Sequence, residues 1–366
     1  MLHYEKNIRR IFNASTTQRK TIFLPWENHN RGTRLSIVGL ASELRDIICA
    51  DINKRGVVGD LCEAVTSKYG VNPLLLVCET LADIIQSRRA DVIFISFGFA
   101  TPPKYVQETD GVTGAVFLAR ALKRLGVATA LIIDERTDLI RVTGESLRAA
   151  GLKPAFTGGC SLSVRSLRNA WIPVLTLRTA YPLTRGDLTE IFSDLPPSAI
   201  VFVEKAGHNY LGVYHSMKGI DVSQHHSHVE EVMNVARTYD AITISVGDGG
   251  NEVGMGVIED TVRRVVPYGN ACRCPCRGGI AASSTVDYLV TSVISNVGAY
   301  AMELLLLKLL GKLNYAHSVS DEILCLKSAV SSGAVDGVTG APKVMVDGLP
   351  RSAYEELLYR VLNAVV

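Results

Sequence analysis

The sequence predicts an α/β protein: a mostly parallel sheet flanked by helices in a Rossmann-like three-layer arrangement, with a helical N-terminal subregion. Three observations predict it. From Asp91 onward, short continuous apolar runs rich in β-branched residues recur, as strands buried on both faces require. Amphipathic stretches of helical period separate these runs, and each run ends in a polar or glycine-bearing segment.

In chain order, helical spacing of apolar residues covers Leu35 to Cys49 and Leu61 to Tyr69, and a further helix opens near Pro73 and runs to Ser87. The strands expected are Val92 to Phe97, Val127 to Ile133, Pro173 to Leu177, Ile200 to Val203 and Ile242 to Val246. The segments after them, FGFATPP, DERTD, RTAYPLTRGD, EKAGHN and GDGGNE, should line one rim of the sheet, where open parallel sheets bind ligands. The apolar stretch Val286 to Leu313 reaches spanning length, but Asn296, Glu303 and Lys308 interrupt it, so it reads as a buried helix. Ser352 to Val366 alternates apolar and charged positions as a surface helix does. No linker-like stretch divides the chain. Residues 1–90 are therefore expected to pack as a helical subregion on a core of residues 91–366, one compact unit.

With 366 residues, 47% of them hydrophobic, the chain can bury a large core. Lys and Arg total 38 against 36 acidic residues, so the formal charge of +2 gives no sequence-wide reason to bind nucleic acid or an acidic membrane. A small-molecule substrate is the expectation, with no nucleic acid or membrane as partner and homo-oligomerisation left open. The opening residues MLHYEKNIRRIFNAS lack the apolar stretch of a secretory signal, which points to the cytoplasm. Cys49, Cys62, Cys78, Cys160 and Cys325 are isolated and read as small core residues. Cys272, Cys274 and Cys276 alternate in ACRCPCRGG without the second CxxC-like pair of a structural zinc site, so loop packing is preferred over metal or redox work.

The most informative segment is ISVGDGGNEVGMG, Ile244 to Gly256, where a strand runs into a glycine-rich turn. Glycine removes Cβ and permits positive φ, so N–H groups including those of Gly249 and Gly250 can form a nest that favours an anionic guest. Neither GxGxxG nor the P-loop pattern fits. Asp248 and Glu252, with Asn251 between them, would repel a triphosphate unless a cation intervened, and suit an amine-bearing substrate or a divalent metal better. The bland alternative is a tight turn with Asp248 and Asn251 as capping residues.

A second segment, EKAGHNYLGVYHSMKGIDVS, offers Glu204, Lys205, His208, Tyr210 and His215 as acids, bases or anion clamps. Adding His225, His226 and His228 places five of the eight histidines close together, yet their spacing is not HExxH and a solvated helix start is preferred over zinc. A third, ETDGVTG, adds Glu108 and Asp110 to the same rim. Asp110 could also cap the amphipathic stretch AVFLARALKRLG that follows it.

Taken in order, RGVVGDL, ETDGVTGAVFLARALKRLG, EKAGHNYLGVYHSMKGIDVS, GDGGNEVGMG, CRGGIAASSTVDYLVTSVISNVGAY and AVDGVTG resemble the D-glutamate cyclase family from about residue 50 onward. Two positions depart from the pattern: Val112 stands where the family has proline and Val297 where it has tryptophan, while Asp110 and Asn296 are retained. The resemblance implies a hydro-lyase that interconverts D-glutamate and 5-oxo-D-proline plus water. In that chemistry Asp248 or Glu252 would serve as base, and Lys205, His208 or the glycine nest would offset charge on the γ-carboxyl. Glu108, Asp110, Glu204, Asn209, Asn251 and Asn296 would orient the substrate. No organic cofactor is expected. A Mg²⁺ or Mn²⁺ ion on Asp248 and Glu252 is the alternative to lysine. Two other readings use the same residues: a phosphate- or nucleotide-dependent enzyme, and a non-catalytic amino-acid-binding protein.

Overall fold

The structure, a computed structural model, describes residues 31–87, 92–158, 171–180 and 185–366. Its centre is a seven-stranded sheet, parallel throughout, of β1 (Val92–Gly98), β4 (Thr129–Asp134), β5 (Lys153–Gly158), β6 (Trp171–Leu177), β7 (Pro197–Lys205), β8 (Ile242–Gly247) and β9 (Tyr288–Thr291). Two short pairs, β2 (Ala100–Thr101) with β3 (Val106–Gln107) and β10 (Met345–Val346) with β11 (Leu349–Pro350), are antiparallel hairpins. Every residue of β1 and β4 is buried, the reason their sequences run apolar without alternation.

Helices α1 (Arg31–Ile48), α2 (Val58–Tyr69) and α3 (Pro73–Gln86) precede the sheet, and α4 (Val112–Arg124) and α5 (Thr137–Ala149) follow β3 and β4. Next come α6 (Arg185–Asp194), α7 (Val229–Arg237), α8 (Glu259–Val265), α9 (Ser295–Leu309), α10 (Val319–Ser331) and α11 (Arg351–Val365). Local chemistry accounts for the boundaries. Asn72 accepts hydrogen bonds from the N–H groups of Leu74 and Leu75 with Pro73 in the first turn of α3, and Gly70 closes α2 at φ 68°. The three N-terminal helices pack on α9, α11 and β9, and one continuous apolar core runs from Ala41 to Val365.

The strand order is β5-β6-β4-β1-β7-β8-β9. From β1 the chain builds outward on one side and then returns to lay β7 on the other side of β1. The β1/β7 junction is thus the topological switch point, where connections leave in opposite directions and open a crevice beyond the strand ends.

The five expected strands and three N-terminal helices are all present. Three features correct the expectations. Val286 to Leu313 is not one helix: Tyr288–Thr291 forms the edge strand β9 before α9 begins at Ser295. Both elements are buried, and a continuous apolar run does not by itself distinguish strand from helix. Lys153–Gly158 forms a strand that was not anticipated. Cys49 and Cys62, read as separate core residues, are joined in a disulfide that closes the segment carrying Arg55. Cys78 and Cys325 are buried as expected, whereas Cys160 and the N-terminal polar stretch lie outside the described residues. The RTAYPLTRGD rim segment is only partly described. Among the described residues, no helix is long and apolar enough to cross a membrane.

Candidate active site

At the switch point, β1 and β7 run in register from Ile93 until Phe97 meets Val203, and the next pair is Gly98 with Lys205. Glu204 is the extra residue of this bulge and adopts φ 45°. A bulge re-aims a side chain, and holding a non-glycine residue at positive φ costs about 1–3 kcal/mol. Here it directs Glu204 into the crevice, where Ser295 Oγ donates to its Oε2 at 2.6 Å. Gly111, at φ 79°, is the residue that lets this happen: a Cβ there would lie 2.6 Å from Glu204 Cβ. Strand alternation then sends the neighbouring Lys205 to the opposite face.

Lys205 accordingly does not reach the carboxylates of the crevice. Its Nζ is 2.6 Å from Asp134, which also accepts bonds from the Ser227 N–H and hydroxyl and lies 3.1 Å from His226 Nδ1. Burial works against ionising Asp134, yet Lys205 and His226 hold its carboxyl well below the usual range. Burial likewise keeps the His226 ring neutral, lowered to about 4, so Nδ1 carries the proton and Nε2 accepts from the Ala100 N–H. His208 and Asn209 also turn out to serve the loop: the His208 N–H donates to Glu230, and Asn209 Oδ1 accepts from Leu211 and Val213 while Nδ2 donates to Gly279. Asn296 braces a turn, donating to the Thr109 carbonyl and accepting from the Gly114 N–H.

The glycine turn after β8 forms the expected nest, but the nest has a different guest. Glu252 folds back so that Oε1 accepts from the Asp248 and Gly249 N–H groups at 2.9 and 2.6 Å, and Oε2 accepts from Gly250 at 2.6 Å. The chain's own carboxylate thus occupies the site predicted for a ligand anion. A phosphate- or nucleotide-dependent reading loses its binding element with it.

Asp110 is held by a helix other than the one following it. Its Oδ1 accepts from the Asn296 N–H at 2.7 Å and its Oδ2 from Ser295 at 2.8 Å, so it caps α9, whose positive dipole end favours a carboxylate. Oxygens of Asp110, Asp248 and Asp347 lie within 4.8 Å of one another, as do those of Glu204, Asp248 and Glu252. Glu108, whose Oε2 accepts from the Thr101 hydroxyl at 2.9 Å, lies close enough to Asp110 and Asp248 to feel their charge. Glu108, Asp110, Glu204 and Asp248 therefore converge, with Asp248 common to both groups.

Two members of the site were not read from the sequence. Arg55, in the loop before α2, places Nη1 at 2.6 Å from Asp248 Oδ2 and 3.0 Å from Asp347 Oδ2. Asp347 sits in the β10–β11 turn with φ 50°, followed by Gly348 at 75°, the two-residue hairpin geometry that an Asp-Gly pair favours. RGVVGDL carries Arg55 but counted only as part of a resemblance, and the DG of MVDGLP was not singled out.

Acid groups in the site outnumber Arg55, the half-buried cation among them. Burial, reinforced by Asp110, raises Glu108 to about 8, and burial together with Asp248 raises Asp110 to about 7 against three N–H bonds. Glu204 is pushed well above the carboxylate range by burial and by Asp248 and Glu252. Burial lifts Asp248 to about 8 against the pull of Arg55, and Asp347 to about 7. Glu252 rises to about 7 by burial and by Asp248, opposed by its N–H donors. Protons near neutral pH, or a divalent cation, must supply the missing positive charge.

Beside this cluster opens a cavity of about 250 Å³ lined by Arg55, Glu108, Glu204, Asp248, Asn251 and Asp347, with Ser216, Met217 and Lys218 on one wall. Asn251 Nδ2 donates to the His215 carbonyl, while Asn251 Oδ1 and Ser216 Oγ are buried and have no hydrogen-bond partner among the described residues. Lys218 Nζ donates to the Val338 carbonyl at 3.3 Å.

The defining pattern of the family described as "D-glutamate cyclase-like, C-terminal" matches residues 44–362 of this chain. The chain belongs to this family. It is also 27% identical over 249 residues to the human (Homo sapiens) protein "D-glutamate cyclase, mitochondrial", an alignment covering 64% of this chain and 35% of the human protein. The matched part thus spans about a third of that relative's length.

Proposed function

We propose that this chain is a hydro-lyase that interconverts D-glutamate and 5-oxo-D-proline plus water in the carboxylate-lined cavity. The observation that carries the reading is the convergence of Glu204 and Asp248 on one small cavity with carboxyls titrating near or above neutrality. Membership of the family and the name of the human relative support the same substrate class. The volume suits a single small amino acid better than a nucleotide.

Ring closure forms a bond between the α-nitrogen and the γ-carboxyl carbon and breaks a C–O bond, releasing water. The nitrogen must lose two protons, one before it attacks and one from the tetrahedral adduct, and the departing γ-oxygen must gain two to leave as water. Asp248 serves as base for the ammonium, because a carboxyl poised near neutrality can both take and return a proton. Glu204, whose burial keeps it protonated, delivers one proton to the departing oxygen; Asp248 passes one of the two protons it takes from nitrogen to that oxygen and the other to Glu204, so both groups end as they began, and ring opening reverses the transfers. Asn251 Oδ1 accepts from the substrate ammonium and so gains the partner it lacks within the protein. Lys218 and Ser216 take the α-carboxylate. Holding both reacting groups of one molecule in a curled geometry supplies several kcal/mol of the barrier reduction.

The hard oxygen donors of Asp110, Asp248 and Asp347 fit Mg²⁺ or Mn²⁺ better than a soft metal. Glu252, the ligand expected beside Asp248, fits less well because both its oxygens already accept N–H bonds. Such an ion, when bound, would polarise the γ-carboxyl as a Lewis acid.

Purified protein incubated with 5-oxo-D-proline, with and without Mg²⁺ or Mn²⁺, should release D-glutamate on chiral chromatography, and the L isomer should react far more slowly. Asp248→Asn should keep its melting temperature within a few degrees and lose turnover. Absence of turnover by the unmodified protein under all these conditions, with glutamate still raising its melting temperature, would replace catalysis by plain amino-acid binding.

A further inference from the structure

We propose that Cys272, Cys274, Cys276 and His215 bind a structural zinc ion that fixes one wall of the cavity. The three sulfurs lie 3.2–3.4 Å apart, and His215 Nε2 is 3.2 Å from Cys274 Sγ and 3.5 Å from Cys276 Sγ. Bonds of about 2.3 Å to sulfur and about 2.0 Å to nitrogen set tetrahedral edges of about 3.5–3.8 Å, close to these separations. Four ligand atoms drawn to a single point are the donor set of a closed zinc centre.

The surroundings agree with thiolates rather than packed thiols. Gly278 N–H and Asn209 Nδ2 both direct hydrogens at Cys276 Sγ, at 3.4 and 3.7 Å, as outer-shell donors do around metal-bound sulfur. A disulfide would consume two of the three sulfurs and leave the third and His215 without a role. The fourth ligand comes from a separate loop: the Arg273 N–H donates to the Gly219 carbonyl, so the cysteine loop and the His215 loop are already paired.

The His215 loop continues into Ser216, Met217 and Lys218, which line the cavity, and the His215 carbonyl anchors Asn251. An ion at this point would therefore hold substrate-facing groups in place without touching the substrate. The assignment rests on the four ligands alone and holds whatever reaction the cavity performs.

The full chain, produced without a histidine tag and purified under reducing conditions, should contain about one zinc per chain by elemental analysis. A mercurial thiol reagent should release that zinc in proportion to the thiols it blocks. Cobalt substituted into the same protein should give thiolate-to-cobalt charge-transfer absorption with the visible bands of tetrahedral coordination. Cys274→Ser and His215→Gln should each lose the zinc, and Cys325→Ser, a buried thiol elsewhere, should keep it. Should the first two variants fail to fold, the mercurial and cobalt measurements on the unmodified chain still decide the matter. Zinc neither present nor taken up, iron in its place, zinc indifferent to thiol reagents, or octahedral cobalt without charge transfer would each overturn the assignment.

Discussion

Arg55 is the half-buried cation that contacts the clustered carboxyls, so replacing it by glutamine should reveal the charge state of the whole site. Its contacts at 2.6 Å to Asp248 and 3.0 Å to Asp347 each correspond to about 5–6 kcal/mol of gross attraction at an effective dielectric of about 20. Desolvation removes much of this, and breaking a buried pair costs about 3–5 kcal/mol net. The penalty should depend on pH. Asp248 and Asp347 have folded values of about 8 and about 7, raised above their unfolded range by burial. Their contribution to stability is therefore fully present below the unfolded value and lost as pH rises through the folded one. Arg55 limits that loss by holding the folded values down, and without it the loss continues to higher pH. Near pH 6 both carboxyls are protonated in either protein, and Arg55→Gln should cost only about 1 kcal/mol of hydrogen bonding. Near pH 9 the cost should reach about 3–5 kcal/mol, growing by about 1.4 kcal/mol per pH unit for each carboxyl that titrates. Urea unfolding of both proteins in chelator-treated buffer at the two pH values measures the difference. His317, which Glu303 and Glu322 raise to about 9 against the effect of burial, titrates in both proteins and cancels. Equal penalties at both pH values would refute the idea that Arg55 is the counter-charge of titrating carboxyls.

Glu252→Gln offers one acceptor oxygen where the carboxylate accepts from three N–H groups. It should lower stability by about 2–4 kcal/mol and abolish turnover by freeing the turn that carries Asp248; near-native unfolding in urea would show that the nest needs no carboxylate. Gly111→Ala places a Cβ 2.6 Å from Glu204 Cβ at φ 79°. A loss of about 2–4 kcal/mol with a fall in kcat is expected, and an unchanged melting curve and kcat would mean that the bulge does not depend on this close approach.

What could be read from the sequence follows from how local each signal is. The central strands are buried on both faces, so their apolar runs announce them, and a parallel sheet places the segments after them on one rim. Asp110, Glu204 and Asp248 could be found that way. Strand parity did not predict which of Glu204 and Lys205 faces the crevice, because the bulge after Val203 resets the alternation. Arg55 and Asp347 were hidden for another reason. They enter from a loop before α2 and a hairpin before α11, remote in sequence from the rim they complete. The cysteine segment lacked a second pair only because its fourth candidate ligand, His215, belongs to a different loop.

The glycine turn had its geometry read correctly and its partner misjudged, and the difference determines the chemistry. A nest of N–H groups normally offers positive potential to a ligand anion. Here Glu252 fills it from within, which leaves Asp248 as the carboxyl that the loop presents to the crevice. With Glu108, Asp110, Glu204 and Asp347 gathered alongside, the switch point of this sheet is set to receive positive charge and exchange protons. A phosphate would meet Lys218 on one wall but acid groups on the others, where the Arg55 guanidinium is already engaged by Asp248 and Asp347. An ammonium, or a divalent cation that draws a substrate carboxylate in with it, meets compensating charge instead. On the proposed function, the fold therefore keeps the ligand position of nucleotide-binding α/β proteins while offering acid groups where those proteins offer free N–H donors.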